Sequence, residues 1–418
     1  MSVFSSFELF MARRMSGKTA SGSRLSKLMT RIAVVSVTLS IAVMIVAIAV
    51  LAGFQNEIRK KAVALTGHIV LTNYDSNISF EAAPINITQA NIPELLKIKG
   101  VVAVRPSATK GGIIKTVDEV QGAILKGVAP NTPITSFADY LVEGELPVFS
   151  DSTMSNRVLV PVSLAKRLLL KVGDRFTMYF IQEPARVRNF EISGLYNAPF
   201  DNASDALILA DIRHIRRLNN WTSEQVGAVE IFIDDINRLQ PIAEQINELM
   251  AYSITDEGQR LKVQTVADLY VQLFDWLNLL DMNVVVILAL MLLVAGFNMI
   301  SGLLILVFEK TAMIGLIKAL GMRNVGVQRM FLYRAAFIAL KGMLWGNIIA
   351  IGFCLLQYYF HLIPLNPANY YMDYVPISLG AWSLIAVNVF GFLGITLLLA
   401  LPVLVISRIS PDRSIKSE

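Results

Sequence analysis

Cysteine and histidine are nearly missing from these 418 residues: there is one cysteine, Cys354, and there are three histidines, His68, His214 and His361. A single thiol excludes an internal disulfide, so whatever folds here does so without one. The histidines are scattered with no metal-ligand spacing, so no metal site is expected and each is read as an ordinary surface or interfacial residue. Hydrolytic signatures are absent as well: there is no G-x-S-x-G elbow and no H-E-x-x-H. Gly17-Lys18-Thr19 looks like the end of a phosphate-binding loop, but the full pattern needs a glycine where Ala12 stands. Ser163-Leu164-Ala165-Lys166 has the S-x-x-K spacing without its S-D-N and K-T-G companions, so Ser163 is read as a helix N-cap. No catalytic residue is assigned. The N-terminal stretch has no lipobox-type cysteine, which argues against a lipoprotein. The segment 361–380 has no Lys or Arg at all.

What is abundant is apolar sequence, 54% of the chain. Much of it lies in four runs, Ile32–Phe54, Val284–Phe308, Phe337–Leu356 and Trp382–Ile406, each long enough to cross roughly 30 Å of hydrocarbon as a helix of about 20 residues. Between the first two runs the composition is that of an ordinary globular domain. The first run is too long for the core of a cleaved signal and leads straight into Gln55-Asn56-Glu57-Ile58-Arg59-Lys60-Lys61, so it is read as an uncleaved anchor.

The net charge of +5 does not indicate nucleic acid, because the basic residues cluster beside the apolar runs. Arg13, Arg14, Lys18, Arg24, Lys27 and Arg31 precede the first. Lys310, Lys318, Arg323, Arg329 and Arg334 separate the second from the third, and Arg408, Arg413 and Lys416 follow the fourth. The excess of positive charge in short cytoplasmic flanks then sets both termini and the 309–334 segment inside, and the large domain outside. Arg59, Lys60 and Lys61 open a long domain, where the charge rule is weak. Trp276, Trp382 and Tyr370-Tyr371 fall where interfacial aromatic belts form, and Lys341 is read as snorkelling to the headgroups.

The expected fold is membrane α-helical, with four transmembrane helices and a large α+β domain inserted between helices 1 and 2. The segments are 1–31 (cytoplasmic, amphipathic), 32–54 (span one), 55–281 (outer domain with helical stalks), 282–308 (span two), 309–334 (cytoplasmic coupling segment), 335–358 (span three), 359–381 (short outer loop), 382–406 (span four) and 407–418 (cytoplasmic tail). In the outer domain, β-rich runs are predicted at His68–Asn73, Val101–Ser107, Gly112–Thr116, Gly122–Val128, Arg157–Val160, Arg175–Ile181, Val187–Leu195 and Ala228–Ile233. Helices are predicted at Ile92–Ile98, Ser163–Leu169, Ile212–Asn219, Pro241–Met250 and Val266–Leu280. The last of these and Gln55–Leu65 are expected to pair as a stalk.

The most informative stretch is Ala295–Arg334. Gly296, Asn298, Ser301 and Gly302 are small or polar residues inside a span, where they favour close helix packing and interhelical hydrogen bonds. The segment Glu309–Gly321 reads as a short cytoplasmic helix, apolar at Met313, Ile314, Ile317 and Leu320, charged at Lys310 and Lys318, and ended by Gly321. An apolar face on such a helix docks into a partner's groove, or else lies on the membrane surface.

The run from Ala295 to Met322, AGFNMISGLLILVFEKTAMIGLIKALGM, resembles the signature of LolC/LolE-type permeases of the MacB/FtsX superfamily of ABC transporters. Phe7-Glu8-Leu9-Phe10-Met11-Ala12-Arg13-Arg14, Gly67-His68-Ile69, Gly127-Val128 and Arg408-Ile409-Ser410-Pro411 fit the same family. The resemblance implies a permease without a cofactor of its own, with ATP and Mg bound by a cytoplasmic LolD-like ATPase dimer that grips Glu309, Lys310, Met313, Ile314, Gly315, Ile317, Lys318, Leu320 and Gly321. It implies pairing with a second permease copy or a paralogue, and contact with membrane lipids. The cargo would be an acylated lipoprotein, extracted from the inner membrane and passed to a periplasmic LolA-like carrier. An apolar cavity for its acyl chains is assigned by position to Met44, Ile48, Leu51, Phe54, Met282 and Val286. Carrier contact is assigned to the loop between Phe180 and Phe190, at Gln182, Glu183, Pro184, Arg186 and Arg188. Two other family roles compete: an FtsX-like regulator of periplasmic cell-wall hydrolases and a MacB-like mechanotransmitter in efflux. An ATPase-free receptor or scaffold leaves the Glu309–Gly321 helix unexplained.

Overall fold

The computed structural model describes residues 10, 24–74, 83–116, 119–130, 134–198, 204–250, 261–366, 370 and 372–406. The Phe7–Arg14 motif beyond Phe10, Gly17-Lys18-Thr19 and the Arg408–Pro411 motif lie outside them. So do Arg13, Arg14, Lys18 and the basic tail, and so do the side chains of Arg24 and Lys27. The chain divides into two compact units. One comprises Glu57–Asp275 with Asn366–Tyr371, and the other comprises Met1–Asn56, Trp276–Leu365 and Met372–Glu418.

The elements run in the order α1 (Arg24–Thr66), β1 (Ile69–Asn73), β2 (Ile85–Asn86), α2 (Ile92–Leu95), β3 (Val101–Lys115), β4 (Val120–Val128), β5 (Leu141–Gly144), β6 (Arg157–Pro161), α3 (Val162–Arg167), β7 (Arg175–Phe180), β8 (Arg186–Tyr196), β9 (Leu207–Asp211), α4 (Ile212–Asn219), β10 (Gln225–Val226), β11 (Ala228–Ile233), α5 (Leu239–Met250), β12 (Leu261–Thr265), α6 (Val266–Leu269), α7 (Val271–Glu309), α8 (Thr311–Ala319), α9 (Asn324–Phe360) and α10 (Ala381–Ile406).

In the first unit, a mixed sheet has the order β12-β1-β11-β3-β4-β9-β6-β8-β5, with β7 bridging β3 and β8. β3 holds it together. Its first half pairs with β11 and its second half with β4, as one strand of 15 residues where two strands were predicted. Gly112, where the second predicted run begins, lies beside β7, which pairs with β3 at Ile113 and Ile114. A Cβ on Gly112 would come within 2.7 Å of Met178 and 3.0 Å of the Tyr179 carbonyl. Gly127 on β4 has a parallel reason, since a Cβ would lie 2.5 Å from Cα of Ile212 where α4 packs down. The short strands β2, β5, β9, β10 and β12 were not predicted. Ser163 is not an N-cap: Pro161 holds that position, and the Ser163 hydroxyl donates to Asp205 Oδ1 at 2.7 Å. His214 is no surface residue either. It is 1% exposed, packs edge-on to Phe190 and sits 2.8 Å from the Ser155 carbonyl through Nε2.

Among the described residues, the helices long and apolar enough to span a membrane are Leu28–Thr66, Val271–Glu309, Asn324–Phe360 and Ala381–Leu399; the first ends and the second begins within the domain unit. The predicted helix Val266–Leu280 is broken at Tyr270, whose φ of −117 and ψ of 47 leave the helical region, so α6 and α7 are separate. At the start of α7, Trp276 meets Phe54 edge-on at 5.9 Å, and Gln55 donates to Asp281 at 2.8 Å.

Candidate functional site

The segment between the second and third spans is built from three local decisions. α7 ends at Glu309, and Lys310 breaks the helical path with φ of −104 and ψ of 17. α8 then runs for nine residues. It closes with Gly321 at φ +96, whose N–H donates to the Lys318 carbonyl, while the Met322 N–H donates to that of Ile317. This is the paired closure that satisfies the last carbonyls of a helix and needs a glycine at the left-handed position. α9 begins two residues later at Asn324.

α8 does not present the face expected. Ile314 is fully buried and Gly315 is buried with it, and Ile314 belongs to the apolar core of the helical unit, where Met313 also packs. Neither Ile314 nor Gly315 can touch a partner. The exposed stripe is Ala312, Leu316 (61% exposed), Ala319 and Leu320 (80% exposed), at helical spacings of four, three and one. Ile317 and Lys318 are intermediate, and Glu309 and Lys310 pair with each other at 3.6 Å. The apolar periodicity identified a helix with two apolar edges. Only packing decides which edge turns inward, and it is the one carrying the stiff side chain of Ile314 beside the bare Gly315.

Helix packing inside the unit uses some of the predicted residues. A Cβ at Gly296 would approach Leu398 to 2.3 Å, so α10 passes close there, and Asn298 donates to Ser36 on α1 at 2.7 Å. Ser301 instead donates to the Phe297 carbonyl of its own helix, and a Cβ at Gly302 would make only ordinary contact with Ala33 at 3.6 Å. A second close approach was missed. Gly342 and Gly346, spaced as small-xxx-small on α9, bring α1 so near that a Cβ would meet Val37 at 2.7 Å and the Thr38 carbonyl at 2.9 Å. Asn347 and Asn388 exchange amide hydrogen bonds of 2.7 and 2.9 Å between α9 and α10. The sequence did carry that signal, in the Gly342-x-x-x-Gly346 spacing.

The residues assigned to an acyl cavity are not gathered around one. Met44 is 6% exposed in the core of the helical unit. Ile48 lines a small cleft with Ile45, Ala49, Leu384 and Val387 that includes none of the other five. Leu51 is half-buried and Phe54 lies against Trp276, while Met282 and Val286 are exposed. Residues chosen for depth along a helix need not share its face.

The proposed carrier loop joins β7 to β8, with Phe180 opposite Arg186 and residues 181–185 between them. Gln182 donates to the Leu218 carbonyl at 3.0 Å. Arg186 donates to the carbonyls of Arg217 and Leu218 and to Asn220 Oδ1 at 2.9 Å, so both side chains hold the end of α4 and are engaged inside the domain. Gln182 and Arg186, both assigned to carrier contact, are thus turned toward the domain itself, and the Arg186 guanidinium beside the C-terminal carbonyls of α4 acts as a helix cap. Arg188 is half-buried. Burial, then the charges of Arg186 and Arg217, pull its pKa down from the ordinary value. Glu183, Pro184 and Ala185 are exposed, together with Ile181 at 77%. The accessible tip is thus more apolar than cationic.

The MacB-like periplasmic core domain family matches residues 30–249, and the FtsX-like permease C-terminal family matches residues 285–411. The first match spans just over half of the chain, so the chain belongs to the MacB/FtsX superfamily of membrane permeases, with four candidate spans among the described residues and an α+β periplasmic-type domain between the first and second. Within that class it is of the LolC/LolE type. It is similar to the lipoprotein-releasing system transmembrane protein LolC of Neisseria meningitidis serogroup B, 23% identical over 378 residues that cover 85% of this chain and 87% of that protein. The macrolide export ATP-binding/permease protein MacB of Bdellovibrio bacteriovorus is 25% identical over 275 residues, covering 62% of this chain and 40% of that protein. The periplasmic region of MacB from Actinobacillus actinomycetemcomitans is a similar solved structure, with a TM-score of 0.33 and 13% identity, covering 49% of this chain and 91% of that one.

Proposed function

We propose that this chain is the non-catalytic permease subunit of an ABC transporter of the lipoprotein-release system, in the bacterial inner membrane. Both termini and α8 face the cytoplasm and the large domain faces the periplasm. The observation that carries the reading is α8: a nine-residue helix on short links between two spans, anchored by Ile314 and exposing Ala312, Leu316, Ala319 and Leu320. A LolD-like ATPase dimer, which binds ATP and Mg, takes that stripe into a groove, as amphipathic helices are taken. Short links with a closed C-terminus pass the displacement of α8 to α7 and α9 without slack. A second permease copy or paralogue completes the translocating unit, and acylated lipoprotein leaves the inner membrane toward a LolA-like carrier. The exposed tip Ile181–Ala185 is the part of the β7–β8 hairpin offered to that carrier.

Depletion of the protein, followed by separation of inner and outer membranes and blotting for an outer-membrane lipoprotein, tests this. Mature lipoprotein accumulates in the inner membrane if the reading holds. Normal sorting with altered cell-wall turnover would replace it by the FtsX-like role, and normal sorting with drug sensitivity by the MacB-like one.

A further inference from the structure

Three buried charged side chains meet in the sheet, two on the consecutive strands β3 and β4 and the third on β11, far along the chain. Arg105 on β3 faces Glu230 on β11 as a cross-strand pair, with Arg105 Nη2 and Nε at 2.6 and 2.8 Å from Glu230 Oε2. Lys126 on β4 reaches Glu230 Oε1 at 2.5 Å, and the Ser107 hydroxyl donates to the same oxygen at 2.8 Å. The guanidinium also lies 4.7 Å above the Phe232 ring. All three charged side chains are 4% exposed or less.

Such a cluster is a poor device for stability, because desolvating the charges costs about as much as pairing them returns. It also does not balance on its own, having two cations to one anion. The missing negative end is supplied by a helix. The Lys126 ammonium donates to the Leu65 carbonyl in the last turn of α1, where unsatisfied carbonyls and the macrodipole concentrate partial negative charge. Withdrawing the end of α1 from the sheet would leave a buried, uncompensated cation.

The same end is tied at two other points. After Thr66 the chain turns at Gly67 (φ +77), where a Cβ would lie 3.2 Å from Cβ of Glu230, and it enters β1 beside β11. Ile69 of β1 pairs with Thr265 of β12, and the Val266 N–H donates to the His68 carbonyl at 2.9 Å. The end of α1 and the start of α6 therefore meet at the same end of the β1–β12 pair. Tyr270, just past α6, is hydrogen-bonded to Thr66. The domain's entrance and exit thus meet at one place, directly over the ion cluster.

We propose that Arg105, Lys126 and Glu230 are positioning residues that clamp the end of α1 to the sheet, so that movement entering through α1 and through the helix after β12 displaces the domain as one body. The idea that such movement serves transport rests on the transporter reading above, whereas the clamp itself does not. Apolar packing of Ala62 and Leu65 also holds this turn, and the test must separate the two.

Full-length protein in lipid nanodiscs is compared by hydrogen exchange with the apolar triple variant Arg105→Met, Lys126→Met, Glu230→Leu, and each is supplied to the depleted strain. The triple variant folds, retains protected amides in β3 and β4, and exchanges at residues 63–67 on the order of tenfold or more faster, with lipoprotein held in the inner membrane. Lys126→Arg, which keeps a cation at the Leu65 carbonyl, restores slow exchange and release. Wild-type exchange at 63–67 in the folded triple variant would overturn the clamp, because packing alone would then suffice. If the triple variant does not fold, Lys126→Gln, which leaves the Arg105–Glu230 pair in place, is held to the same exchange criterion. If depletion leaves lipoprotein sorting normal, the transporter reading fails and the exchange result alone decides on the clamp.

Discussion

The two units of this protein solve the same problem, fixing one arrangement of their elements, by opposite means. The domain unit does it with buried full charges: Arg105, Lys126 and Glu230 bring β3, β4, β11 and the last turn of α1 together. The helical unit does it with small residues and neutral amides: Gly342 and Gly346 against α1, Gly296 against α10, and Asn347 with Asn388. A sheet with a large apolar core can tolerate a costly ion cluster and gain uniqueness from it. A bundle whose surroundings are as apolar as its interior has no hydrophobic drive to bring helices together, and relies on close backbone approach and weak hydrogen bonds.

Four changes, in order of decreasing effect, bear on this contrast. Glu230→Gln leaves two cations without their anion and should destabilise the domain by about 3–5 kcal/mol, read from chemical unfolding. Gly342→Leu forces α9 off α1 and should cost about 1–3 kcal/mol in the thermal stability of the detergent-solubilised chain. Its control is Gly352→Leu, where nothing lies within 4 Å and the same assay should show no change.

The third change is in pH. His68 accepts a hydrogen bond from the Ile233 N–H at 3.2 Å, and burial pulls its pKa to about 4. The unfolded state therefore binds the proton first, and stability falls as pH drops from about 6.5 to about 4. Because the ring is only partly buried, a loss of about 1–2 kcal/mol is expected, and His68→Gln should flatten that slope. Glu230 adds a second window. Burial pushes its pKa up, but Arg105 and Lys126 outweigh it and hold the carboxyl at about 2. Its contribution is intact above the ordinary value of 4.5 and is lost as pH falls from there toward 2. The fourth and smallest effect is Asn388→Ala, at about 0.6 kcal/mol in the same thermal assay, since hydrogen bonds between membrane helices are individually weak.

The four spans were legible because nothing but a membrane asks for apolar runs of that length, and the α+β character of the domain was legible from short β-branched runs between helical ones. What escaped has a physical pattern. β5 is short, with no strong alternation of its own, and is a strand because β8 pairs with it. Arg105 and Glu230 are separated by 125 positions, and no local signal says that two ionisable residues will face each other across a ladder. On α8 the periodicity was right and the inward edge wrong. Arg186 illustrates the same limit: its charge is visible in sequence, but whether it meets a partner or caps α4 depends on where the hairpin folds.

The most direct test of the account is whether the exposed stripe of α8 holds the ATPase. The full-length protein is purified from its own host membranes with wild-type α8 or with Leu316→Glu and Leu320→Glu together, and the co-purifying ATPase activity is measured beside the thermal unfolding of the permease. The activity is expected to fall to background while unfolding is unchanged, because neither side chain is buried. Undiminished ATPase activity with the double variant would contradict it, and would mean that α8 is not the coupling element.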